Sequence, residues 1–132
     1  MKIFLPVLVL VVMLSGCAST NIREQFDESV ELYNNSVGLL QWGNAGAFTA
    51  SSISKEFKKR AEAAGDVQVI DCRIIDKTYN AKKRKAVVDV DIEYYKNFSP
   101  VVKILHDKQK WAYRGKNGTK RWKLVSLIPE FK

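Results

Sequence analysis

The sequence predicts an α+β domain, two helices followed by a four-stranded antiparallel meander. Apolar residues recur every three or four positions from Ile22 to Leu40, then every second position from Ala86 to Tyr94 and, but for Ser126, from Trp122 to Ile128. Those are the repeats of a helix face and of a strand face. All the helical signal precedes all the strand signal, the order of an α+β domain rather than of alternating α/β units. A chain of 132 residues, 46% of them hydrophobic, is the size of one domain and too apolar for disorder.

The first seventeen residues read as an address. Lys2 gives a positive start, and Ile3 to Leu14 is a twelve-residue apolar stretch interrupted only by Pro6. Crossing a bilayer takes about 20 apolar residues, so this run has the length of a signal-peptide core instead. Leu14-Ser15-Gly16-Cys17 follows directly and resembles the bacterial lipobox. The resemblance implies that residues 1–16 are a signal peptide and that Cys17 becomes the new N-terminus, acylated on its sulfur and its amine. Two or more acyl chains anchor a protein stably, where one is marginal. Ala18 stands where an Asp would imply inner-membrane retention, so the same resemblance implies the outer membrane, with the domain facing the periplasm.

Residues 17–21 then read as the lipidated Cys and a short tether, and residues 22–132 as the domain. The four residues Ala18 to Asn21, if extended, span at most about 14 Å, which keeps the domain close to the bilayer. Cleavage leaves 116 residues with Cys72 as the second cysteine. Once Cys17 is lipidated no internal disulfide can form, and the apolar run around Cys72 predicts a buried, inert thiol.

The first helix carries Ile22, Phe26, Val30, Tyr33, Val37 and Leu40 on one face, widened by Leu32 and Leu39. Thr20 or Asn21 can cap it, and Glu24, Asp27 and Glu28 suit the positive end of its dipole. Gly43 predicts its stop after Trp42. Asn44 to Ala50 is small and polar, room for one helical turn. Ser51-Ser52 open a second helix with Ile53, Phe57, Ala61 and Ala64 on one face, ended by Gly65. Val67 to Asp76 reads as a strand whose broken alternation predicts a bulge near Val69. Arg84 to Tyr95 is the cleanest strand, with Ala86, Val88, Val90, Ile92 and Tyr94 on one face and Asp89, Asp91 and Glu93 on the other. Val101 to Arg114 and Lys120 to Ile128 complete the sheet, with Trp122, Leu124, Ser126 and Ile128 on one face of the last strand. They are joined through Lys116-Asn117-Gly118-Thr119, whose Asn-Gly pair is a tight-hairpin signature.

The helix-to-turn segment Tyr33-Asn34-Asn35 through Leu40-Gln41-Trp42-Gly43-Asn44 resembles that of small lipoproteins in the nuclear transport factor 2-like, or cystatin-like, superfamily. Trp111-Ala112-Tyr113, Arg121-Trp122-Lys123-Leu124 and Leu127-Ile128-Pro129-Glu130-Phe131 are similar to its closing hairpin. The resemblance covers residues 22–131 and implies helices packed on a curved, cone-like sheet. The superfamily includes isomerase-like and cyclase-like enzymes as well as non-catalytic periplasmic scaffold domains, so fold leaves function open.

Chemistry is sparse. No P-loop, dinucleotide-binding glycine fingerprint, zinc-ligand spacing or nucleophile elbow occurs. A catalytic member of the superfamily needs an acid or base inside the cone. Asp89, Asp91 and Glu93 lie on the face expected to point to solvent, and His106, the single histidine, sits in a charged stretch. Asp71 is the acid with most claim to the interior. One histidine without a cysteine cluster excludes the usual zinc sites, and no cofactor is expected. Trp42, Phe57, Trp111, Tyr113 and Trp122 are the aromatics that could line a helix–sheet pocket.

Charge is unevenly spread. Residues 21–64 carry 5 basic and 6 acidic side chains, whereas residues 65–132 carry 16 and 8. Two clusters dominate, Lys82-Lys83-Arg84-Lys85 and Arg114, Lys116, Lys120 and Arg121. The first and third turns of a meander lie at the same end, so the eight cations should share a rim suited to an anionic envelope component or a protein partner. Nucleic acid is excluded on that side of the membrane. Two helices and a strand running up, down and up from Cys17 place the Lys82–Lys85 turn away from the bilayer, and so predict a periplasmic partner rather than headgroups of the same membrane. The expected role is a non-catalytic binding or accessory module. The alternatives are a carrier of a small apolar ligand and an isomerase-like enzyme.

Overall fold

A computed structural model describes residues 17–116 and 118–132. The elements are α1 (Cys17–Gly38), α2 (Trp42–Gly46), α3 (Ser51–Ala63), β1 (Val67–Asn80), β2 (Lys85–Lys96), β3 (Ser99–Arg114) and β4 (Arg121–Leu124). The strands form one antiparallel sheet in the order β1-β2-β3-β4, so the α+β class and the meander are as predicted. The apolar stretch 3–14, the first three residues of the Leu14–Cys17 motif and Asn117 of the expected tight turn lie outside the described residues. Among the described residues no helix is long and apolar enough to cross a membrane.

Helix α1 packs one face on the sheet. Phe26, Val30, Tyr33 and Val37 are fully buried, as their spacing requires. Leu32 and Leu39, expected to widen that face, are instead 48% and 70% exposed. Each lies two residues beyond a buried valine, about 200° round the helix. The residues read as an extended tether are also part of α1, which begins at Cys17. At a helical rise of about 1.5 Å per residue, those four residues cover about 6 Å rather than 14.

The helix ends at Gly38 and not at Trp42. Leu40 takes a left-handed φ of 57°, its N–H donates to Val37 O at 3.0 Å, and the Gln41 N–H donates to Ser36 O at 2.8 Å. This pair of bonds is a Schellman cap, made here by a leucine where glycine is the usual residue. The turn frees Trp42 to open α2. The chain then runs beside β4, where the Ala50 N–H donates to Leu124 O and the Leu124 N–H to Phe48 O, at 2.9 and 2.8 Å. The helical layer thus has three segments, one more than predicted.

In β1 the pairing slips twice, between Val69 and Asp71 and between Ile74 and Asp76. The first slip is the bulge expected near Val69, and each one bends the strand. On β2 the residues Ala86, Val88, Val90, Ile92 and Tyr94 are all buried against the helices. β4 stops at Leu124, short of the predicted Ile128. Ile128 is still buried, held in a tail whose carbonyls accept from Arg60 (Ile128 O, 2.7 Å) and from Tyr94 and Lys103 (both Lys132 O, 2.8 Å).

The core is aromatic. Tyr33 meets Trp111 edge-on at 5.6 Å, and Phe26 meets Trp122 at 4.9 Å. Trp111→Ala should lower unfolding stability by about 3–5 kcal/mol, and Leu39→Ala should change it by less than about 0.5 kcal/mol, both read from urea midpoints.

Candidate functional site

Three places bear on function: one end of the sheet, its buried face, and a groove between helices. At the first, the turns after β1 and β3 lie side by side. Lys85 pairs with both Asn80 and Ala112, and Arg114 pairs with Arg121. Arg84 O accepts the Tyr113 N–H at 3.0 Å, and the Arg84 guanidinium lies 5.6 Å from the Tyr113 ring centre. Lys82, Lys83, Arg84, Lys85, Arg114, Lys116, Lys120 and Arg121 therefore share one rim, and all are exposed. Among the described residues none of the eight is in an ion pair. The loop between β3 and β4 spans the six residues 115–120. It is closed by Thr119 N–H to Lys116 O at 2.9 Å, with Gly118 at φ 81°.

The N-terminal part of α1 packs at this same end. Trp122 Nε1 donates to Ile22 O at 2.8 Å, and the Arg23 guanidinium lies 4.6 Å from the centre of the Tyr79 ring, one residue before the first turn. Gly38, at the far end of α1, faces Cys72. Helix α1 thus descends from the rim, antiparallel to β1, and the rim does not point away from Cys17 as the two-helix reading required. The reason is the additional segment: α2 and the Phe48–Ala50 stretch insert one more reversal, which inverts every later direction.

Aromatic side chains fill the buried face. Trp111, Trp122 and Phe57 are each at most 2% exposed and belong to the core. Tyr113 is half-buried beside Trp122 at 5.5 Å. Trp42 and Phe57 meet at a cleft between helices. Their rings are 6.2 Å apart in an edge-on pair, and both line a groove of about 450 Å³ between α2 and α3 with Gly43, Gly46, Ser54, Lys58, Ala61 and Glu62.

Behind that aromatic layer lies a polar network that the sequence reading missed. The Asn34 amide donates to Val30 O at 2.9 Å and to Gln109 Oε1 at 3.2 Å. The Gln109 amide donates back to Asn34 Oδ1 at 2.8 Å and to Asp107 Oδ2 at 3.1 Å. Trp111 Nε1 donates to Gln109 Oε1 at 3.2 Å, and the Cys72 thiol approaches Asn34 Oδ1 at 3.7 Å. Each amide thereby uses both donors and both acceptor positions. Among the described residues, the Tyr33 hydroxyl is the buried side-chain polar atom without a partner.

Asp107 is the interior acid, 2% exposed. Burial pushes its carboxyl up to about 6, against the smaller opposing effect of the Gln109 hydrogen bond. Burial likewise pushes the Cys72 thiol up to about 12, helped by Asp107 and then Asp71, so the thiol is protonated and unreactive at neutral pH. Burial, with Asp107 and Cys72 adding to it, raises Tyr33 well above a free phenol. Asp71, the expected interior acid, is exposed and 3.4 Å from Arg73. His106 is on the outer face, exposed, and hydrogen-bonded to Asp91. The signal for Asp107 was present in the spacing: Asp107 and Gln109 alternate in phase with Trp111, on the buried face.

No protein-family model and no curated protein match this chain. Among solved structures, a SEC-C motif containing protein from Rhodopseudomonas palustris is similar, with a TM-score of 0.53 and 11% identity, covering 70% of this chain and 68% of that one. At that identity the likeness concerns the fold alone.

The described clefts are lined by residues other than Asp107, and the described residues include no cluster able to hold a metal ion. The chemistry of Asp107 is therefore read in stability. Its stabilising contribution is complete below the ordinary carboxylate value of 3.8 and is lost as pH rises to about 6. Asp107→Asn should raise stability at pH 7.5 by roughly 2–3 kcal/mol and leave it nearly unchanged at pH 3.5, as measured by denaturant unfolding at the two values.

Proposed function

We propose that this protein is a lipid-anchored component of the cell envelope, held on the outer membrane through acylated Cys17 with its domain in the periplasm. It acts there as a non-catalytic binding or accessory module. The observation that carries the reading is the Leu14-Ser15-Gly16-Cys17 motif, which closes a twelve-residue apolar stretch and whose Cys17 opens α1. Helices on a sheet bent by two bulges support a nuclear transport factor 2-like, cystatin-like domain. Support for the non-catalytic role comes from the interior: the buried acid is bonded to Gln109 and is absent from the linings of the described clefts. The exposed rim of eight cations supports an anionic partner.

Cells fed labelled palmitate should incorporate it into the wild type and into Cys72→Ser, but not into Cys17→Ser. Equal labelling of Cys17→Ser would overturn the anchor.

The groove at Trp42 and Phe57 favours a second reading, a carrier of a small apolar ligand. Native mass spectrometry of protein taken from membranes should then show a co-purifying small molecule. Its loss in Trp42→Ala would support the carrier, whereas an unliganded mass for the wild type would count against it.

A further inference from the structure

We infer that the basic rim is a docking surface for the anionic lipid headgroups of the same membrane that holds Cys17. The inference rests on the lipid-anchor reading and adds its partner. Ile22 is hydrogen-bonded to Trp122, and Phe26 packs between Tyr79 and Trp122 at 5.4 and 4.9 Å. From there toward its N-terminus, α1 runs out past the end of the sheet that carries the rim. Cys17 is five residues before Ile22, a reach of about 7.5 Å as helix and at most about 18 Å extended. An acyl group on Cys17 therefore brings the rim down to the bilayer surface.

Distance decides whether those charges act. The field of an anionic leaflet decays over a Debye length of about 8 Å at physiological salt. Placed at the other end of strands up to 16 residues long, the same cations would sit about 50 Å further out and feel nothing. At the anchored end they fall within the range where each lysine or arginine adds measurably to binding.

The two turns themselves carry no compensating charge. No acidic residue lies between Asp76 and Asp89, or between Asp107 and Glu130. On the adjoining flank of α1, Asp27 accepts from Lys77 at 2.9 Å, and Glu28 shares a cleft with Lys120, Arg121 and Lys123. Arg84 occupies a left-handed position, φ 48°, which glycine would take at no steric cost. The turn keeps a cation there instead, its guanidinium near Tyr113. Arg23, over Tyr79, adds a ninth positive charge beside the first turn.

The test reconstitutes the mature protein, purified from cells expressing the full chain, into vesicles of phosphatidylcholine alone or of an equal mixture with phosphatidylglycerol. Acetylation of each lysine is followed by mass spectrometry. Lys82, Lys83, Lys85, Lys116 and Lys120 should react roughly tenfold more slowly on the anionic vesicles at low salt, and the difference should vanish at high salt. Lys55, Lys58 and Lys59 on α3 should react equally on both. Equal rates for the rim lysines on the two vesicles would overturn the inference. So would rim protection on neutral vesicles produced only by adding a periplasmic extract, which would mark a soluble partner. Failure of the anchor reading shows separately, as protein that does not float with neutral vesicles whatever its rim lysines do.

Discussion

The reciprocal amide pair between Asn34 and Gln109 sets how α1 lies on the sheet. Two side chains 75 residues apart exchange hydrogen bonds in the interior, and each is satisfied in one register alone. A slip of α1 by one turn would leave buried amide groups unpaired, at about 1–3 kcal/mol for each lost partner. Apolar contacts by themselves tolerate such sliding far better, because they lack direction. With the amides engaged, Phe26 falls between Tyr79 and Trp122 and Ile22 reaches the Trp122 indole. The helix direction, the rim position and the anchor geometry all depend on that register.

The same network gives Asp107 a structural place. A carboxyl 2% exposed costs free energy whenever it ionises, and Gln109 offsets part of that cost by donating to it. The acid, the two amides, Trp111 and the Cys72 thiol form one connected set behind the aromatic layer, so a change at any member alters the others. The raised thiol of Cys72 follows from burial first and from that neighbour second.

Sequence patterns were legible wherever one face decides burial. The alternation Ala86, Val88, Val90, Ile92 and Tyr94 put five residues inside, and the broken alternation near Val69 marked a real register slip. Patterns failed where a local choice had no signal of its own. Leu40 turns the chain with a left-handed backbone that leucine rarely adopts, so the helix looked longer than it is. Leu32 and Leu39 were taken for core because apolar character alone does not require burial. Asp107 was passed over because its charged neighbours masked a strand alternation that places it beside Gln109 and Trp111.

What the sequence alone determined is the class of fold, the strand faces and the sharing of one end by two basic turns, since repeat length and antiparallel order are local properties of the chain. What only the tertiary structure decided is which end that is. Direction along a sheet flips with every reversal of the chain, so one short unforeseen segment, α2 with Phe48 to Ala50, turned the cations from the far side of the domain to the side of Cys17. The polar network around the interior acid was settled in the same way, by the bonds between Asn34 and Gln109, which lie 75 positions apart in the chain.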